Sequence, residues 1–167
     1  HRLSAEADHH ERIAALGDAL DRDVAIERIE CFDVSHLAGE STVASCVVFD
    51  RSGPRKSDYR KLNINQARAG DDYAAMHEAL NRRYSRLKRE EGAMPDLILI
   101  DGGKGQVAQA LAVLDELQID DVLVVGIAKG VTRKPGFEKL VLHDGLREYR
   151  LASDSPALHL LQHVRDE

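Results

Sequence analysis

The sequence predicts one α/β domain built on a mixed sheet. Three β-patterned runs joined by short connections come first, and short connections favour antiparallel neighbours. Strand, helix, strand, helix, strand follows, the grammar of parallel crossovers. The length of 167 residues suits a single core. The predicted strand order is 3-2-1-4-5, with the first strand central and flanking helices on the sheet.

Residues 4–21 are acidic and helix-prone, with Ile13, Leu16 and Leu20 at helical spacing. Residues 1–22 therefore form a lead-in helix or linker tail, ahead of a domain over 23–167. Residues 24–34 form the first strand. Residues 42–49, TVASCVVF, are nearly continuous and β-branched, as a strand buried on both faces requires. SGP at 52–54 is a turn, and 58–64 alternates like a half-buried or edge strand. Asp72 opens a helix whose inward face is Tyr73, Met76, Leu80, Tyr84 and Leu87, and Gly92 and Pro95 end it. LILI at 97–100 is a buried strand followed at once by Asp101-Gly102-Gly103. The next helix turns Val107, Leu111, Leu114 and Leu117 inward, and VLVVGIA at 122–128 is the fifth strand. A basic Gly/Pro loop fills 129–137. Asp144-Gly145 marks an added β-hairpin, and Ser155-Pro156 starts a last helix with Leu158, Leu161 and Val164 inside.

Composition narrows the function. No apolar run approaches the roughly 20 residues of a membrane span, and the polar N-terminus is unlike a secretory signal. Cys31 and Cys46 sit in apolar runs without metal-ligand spacing, so a reducing, cytoplasmic setting is expected and zinc is not. The formal charge is −6, yet the bases cluster. Arg55, Lys56, Arg60 and Lys61 form one group; Lys129, Arg133, Lys134 and Lys139 form another. Such patches meet phosphates even within an acidic protein. A solvated charged face is the bland alternative.

Asp33 ends the first strand and Asp101 the fourth. As parallel neighbours they place two carboxylates side by side at the carboxyl edge, where open α/β sheets bind ligands. Two such charges repel unless one is protonated or a cation lies between them, and a hard divalent cation suits oxygen donors. Each Asp alone reads equally as a cap or turn former. Asp71 and Asp72 fit helix capping at least as well as metal ligation. His36 is placed to orient a carboxylate or touch phosphate, or simply to fill a hydrogen-bonded niche. Lys104 invites a P-loop reading that fails, because Gln106 stands where a metal-binding hydroxyl is needed; no GxGxxG opens a helix either. Ser35 and Ser45 lack a base-and-orienter set. These residues point to a metal-dependent enzyme acting on phosphate esters, with a binding module carrying structural carboxylates as the rival.

At IECFDVSH, TVASCVVFD, GDDYAAM and PDLILIDGGKGQ, and on through GIAK to HLLQHVRDE, the sequence closely resembles the UvrC family of excinucleases, which act in bacterial nucleotide excision repair. The resemblance covers the chain from about residue 28 onward. It implies the family's C-terminal endonuclease domain, with a ribonuclease H-like fold, which cuts 5′ to a lesion in damaged double-stranded DNA using Mg²⁺ or Mn²⁺. It also implies UvrB as partner, with UvrA upstream. Carried over by motif, the catalytic carboxylates fall on Asp33, Asp72 and Asp101, with Asp33 and Asp101 as metal ligands. His36 and Lys104 are supporting candidates, Lys104 as a contact to substrate phosphate. The family's histidine follows RDE, which here is Arg165-Asp166-Glu167, so a domain unable to cut is expected if that position is lacking. His163 lies near that motif position without matching it, and is the remaining supporting candidate.

Overall fold

A computed structural model describes residues 2–20, 25–36, 41–128, 139–142, 148–149, 151 and 154–167; for 2–9, 139–142 and 148–149 it describes the backbone. The elements run α1 (Arg2–Ala19), β1 (Arg28–His36), β2 (Thr42–Asp50), β3 (Gly53–Pro54), β4 (Arg60–Asn63), α2 (Asp72–Arg89), β5 (Leu97–Asp101), α3 (Lys104–Glu116), β6 (Leu123–Ala128), β7 (Lys139–Leu142), β8 (Glu148–Tyr149) and α4 (Pro156–Asp166).

Among the described residues the strands form one sheet ordered β3-β2-β1-β5-β6-β7-β8, with β4 also paired to β2. β1 is antiparallel to β2 and parallel to β5, and β5 is parallel to β6. The expected order 3-2-1-4-5 is the run β4-β2-β1-β5-β6. The added hairpin is not a separate flap, because β7 pairs antiparallel with β6 and extends the same sheet. Its expected turn, His143-Asp144-Gly145, lies outside the described residues. Gly53 and Pro54 pair back onto β2 instead of forming the turn itself; Gly53 has φ 110, which only glycine adopts without strain.

Alternation along β1 divides the core. Ile29 and Cys31 face α1 and α4, packing with Leu16, Phe49, Leu99 and Leu161. Phe32 faces α2 and α3, packing with Met76, Leu80, Ile98 and Val107. Leu97 to Ile100 of β5 are all fully buried, each contributing about 1.5–3 kcal/mol over an exposed position. Ile13 and Leu16 bring α1 into the first of these cores.

Two helix faces differ from expectation. Tyr73, read as inward, is 54% exposed, beside the exposed Asp72 at the start of α2. On α3 the buried face is Val107, Ala110, Val113 and Leu114, which rotates Leu111 to the margin. Ala110 takes the inward place that apolar periodicity gives to Leu111.

Candidate active site

The parallel register of β1 and β5 ends at Phe32↔Ile100. The next residue on each strand is the carboxylate, so Asp33 stands beside Asp101 at the carboxyl edge. Both follow fully buried runs. Their side chains take the Cys31 and Leu99 face of the sheet, since alternate residues share a face. Asp33's carboxyl is held above the ordinary aspartate value. Partial removal from water comes first, then the charge of Asp101, with Asp72 adding to it, while the Val34 N–H opposes. Cys31 just beneath is pushed well up by burial and then by Asp101.

Gly102 and Gly103 follow directly. A Cβ at Gly102 would lie 2.8 Å from Gln106 Cγ, so glycine here lets α3 start immediately after Asp101. Gly103 is the N-cap and supplies no side-chain hydrogen bond. Lys104 is thus the first residue of α3, exposed, directly beyond the carboxylates.

Asp72 reaches the same edge from the opposite face. Asp71 caps α2, accepting from the Ala74 N–H at 3.0 Å. That leaves Asp72 available, and its Oδ1 accepts from His36 Nε2 at 2.7 Å. His36 Nδ1 lies 3.2 Å from Thr42 Oγ1 on the neighbouring strand. In the neutral ring the Nε2 proton goes to Asp72, and Nδ1 then accepts from the threonine hydroxyl. Gln106 Nε2 donates to the Asp72 carbonyl at 3.3 Å, tying α3 to the start of α2. The carboxylate His36 orients is therefore Asp72.

Other candidates are not gathered here. The His163 ring packs edge-on against Phe49, centroids 5.0 Å apart. Phe49 is opposite Ile29, four residues before Asp33 on β1, which places His163 about 13 Å down the strand from the carboxylates. Arg165, two residues further along α4, bears on Cys31, where its charge opposes those of Asp101 and Asp33. The basic group at 55–61 is divided. Arg55 pairs with Asp50 at 2.9 Å, and Lys56 is 4.0 Å from Glu167. Arg60 and Lys61 lie on edge strand β4, where Lys61 shares a cross-strand row with Ser45 and Asp33. Lys129, Arg133 and Lys134 lie outside the described residues.

Sequence reasoning missed two acidic residues. Glu30 is fully buried, accepting from Arg83 Nε and Nη2, Tyr84 Oη and Arg28 Nε at 2.7–3.0 Å. Burial would raise its pKa, but Arg83 above all, then Tyr84 and Arg28, hold it below the ordinary range. Glu78 accepts from the backbone N–H groups of Asn65, Gln66 and Ala67 at 2.8, 2.8 and 3.0 Å. It fixes the loop that delivers Asp71 and Asp72. A charge within the IECF strand was the available signal for Glu30; Glu78 carried no signal beyond its (i, i+4) spacing from Arg82.

The model of the UvrC RNase H endonuclease domain matches residues 17–167. The chain belongs to that family. The domain is 62% identical over 167 residues to UvrABC system protein C of Alkalilimnicola ehrlichii, covering 99% of the chain and 27% of the relative. It is 60% identical over 156 residues to that of Pseudomonas paraeruginosa, covering 93% and 26%. The chain therefore spans about a quarter of the length of these relatives. Among solved structures, the catalytic domain of human Endonuclease V superposes with a TM-score of 0.50 at 19% identity, covering 95% of the chain and 84% of that one. This shared fold is the ribonuclease H-like architecture expected from the sequence.

Proposed function

We propose that the domain hydrolyses a DNA phosphodiester 5′ to a lesion in nucleotide excision repair, in the cytoplasm, with Mg²⁺ or Mn²⁺ held by Asp33 and Asp101. UvrB, with UvrA upstream, is the proposed partner. No helix among the described residues is long and apolar enough to cross a membrane. The catalytic unit is read as residues 23–167, with 1–22 as a lead-in helix braced through Ile13 and Leu16.

The observation carrying this reading is the placement of Asp33 beside Asp101, with Asp33's proton affinity raised by crowding and by its neighbour's charge. Paired carboxylates held against their own repulsion fit a hard cation. Among the described residues no group of three His, Cys, Asp or Glu gathers tightly enough for a closed metal cage. Mg²⁺ needs no such cage: one or two carboxylates suffice, with waters and substrate phosphate completing the shell. The ion, when bound, lowers the pKa of water and stabilises charge on the phosphoryl oxygens.

The protein's own groups supply position. Asp33 and Asp101 would hold the divalent ion at the sheet edge. Asp72, held by a hydrogen bond from His36 Nε2 and through that ring by Thr42, keeps a third negative charge at a set distance. Lys104 meets phosphate at the start of α3, with the uncapped N–H groups of that helix behind it. Arg60, Lys61 and the bases of 129–134 contribute sequence-independent phosphate contacts, while Arg55 and Lys56 are drawn to Asp50 and Glu167.

The test is nicking of a lesion-bearing duplex in Mn²⁺ by the full-length relative carrying this domain, wild type against the variants at Asp33 and Asp101. Loss of the 5′ cut with duplex binding retained is the expected result. Undiminished cutting by both variants would overturn the assignment. A domain that binds duplex while neither binding Mn²⁺ nor cutting would be a binding module with structural carboxylates.

A further inference from the structure

A groove of about 460 Å³ runs between the second half of α2 and edge strand β4, apart from the carboxylates. Its walls carry Arg28, Arg60, Lys61, Arg82, Arg83 and Arg86, against Asp58 and Glu90. We infer that this groove is a second phosphate site, gripping the backbone of duplex DNA away from the point of cleavage. The inference rests on the nucleic-acid reading of the domain and extends its contacts at Arg60 and Lys61 to the arginines of α2 that face them.

The groove is pre-formed from beneath. Glu30 commits its acceptors to Arg83, Tyr84 and Arg28, so Arg83 is pinned by two bonds on one side. Above it the cations retain unspent donors. Among the described residues, Arg86 uses only Nε, toward Glu90 at 3.1 Å, and is 71% exposed. Among the same residues Arg82 uses only Nη1, on Asn63 and Glu78. Lys61 makes no ion pair among the described residues and is exposed. Guanidinium forks with free N–H pairs match phosphate oxygens.

The chemistry favours a nucleic-acid backbone over an acidic protein segment. The apolar lining is Leu62, Leu87 and Ala93, without an aromatic anchor. Protein interfaces draw their affinity from buried apolar and aromatic hot spots, whereas phosphate binding requires only charge and donors. Position agrees. Arg60 registers with Cys46, and Cys46 with Phe32, the residue before Asp33; two strand spacings are about 10 Å. Arg86 lies 14 residues after Asp72 on α2, about 21 Å along the helix. The groove thus lies within about six base-pair steps of the carboxylates, and one duplex spans both.

The experiment is a salt titration of binding to an undamaged duplex, by fluorescence anisotropy in EDTA. Without metal, the result is independent of chemistry at Asp33 and Asp101, whose failure would appear in the nicking assay alone. Lys61→Ala and Arg86→Ala are each expected to reduce the log–log salt slope by about one, and the double variant by about two. Both sites are exposed, so Tm should be unchanged. Lys88→Ala, two positions after Arg86 and so on the opposite side of α2, toward Leu117, should leave the slope as it is. An unchanged slope in the double variant overturns the inference, as does an equal effect of Lys88→Ala. A polyglutamate peptide that binds the wild type and loses binding to the double variant, while the duplex slope holds, would overturn it in favour of an acidic-protein dock.

Discussion

Replacing Asp33 with Asn removes one charge of a like-charged pair while keeping the side chain's shape. Neighbouring strands are about 4.8 Å apart. Two unit charges at that separation repel by about 0.9 kcal/mol at the dielectric of water and about 3.5 kcal/mol at an effective value of 20. Asp33 is exposed, so the lower figure governs, and about 1 kcal/mol of added stability is expected without metal. In a chain of this size that raises Tm by about 2–4 °C. The pH dependence has a definite sign. Asp33's folded-state pKa is raised, by lost hydration and then by Asp101. The wild type is therefore relatively more stable below the ordinary aspartate range, and loses that advantage as pH rises through the raised value. The gain from Asp33→Asn is full near neutral pH and vanishes in acid. Melting curves in EDTA under the two conditions measure it. Adding Mn²⁺ reverses the ranking: an ion at about 100 times its Kd stabilises the wild type by about 2.7 kcal/mol and leaves the variant unmoved. A variant less stable than wild type near neutral pH in EDTA, or one equally stabilised by Mn²⁺, refutes the reasoning.

Asp101→Asn should abolish Mn²⁺ binding with the fold intact, as titration calorimetry and circular dichroism would show. Glu78→Ala strips the acceptor from three loop N–H groups. Bonds to a charged partner are worth about 1.5–3 kcal/mol each, and partial rehydration of the loop leaves a net loss of about 2–4 kcal/mol, read as a fall in Tm and new proteolysis within 64–71. Glu30→Gln breaks a buried ion pair at a cost of about 3–5 kcal/mol. Because Glu30's folded pKa is lowered, with Arg83 the leading cause against burial, the wild type keeps this contribution above the ordinary glutamate range. It loses it as pH falls through the lowered folded value, and urea melts should show the Gln variant flat across that window.

Local pattern alone determined the strand sequence, the antiparallel-then-parallel grammar and the candidate pair Asp33 and Asp101. Each depends on short-range periodicity, and a charge placed straight after LILI is visible without knowing what lies beside it. Registration decided the rest. Only the β1–β5 pairing puts Asp33 next to Asp101, and only the start of α2 against β1 joins His36 to Asp72, 36 residues apart in sequence. In sequence Arg55 belongs to a DNA-binding patch, but Asp50 and Asp58 take its charge once β2 turns back on itself. In sequence His163 sits close to the active end of α4, but the helix phase turns its ring onto Phe49. The partners of Glu30 and Glu78 were invisible for the same reason: the groups that satisfy a buried charge come from distant segments, and sequence periodicity records which face a residue takes, not what it meets there.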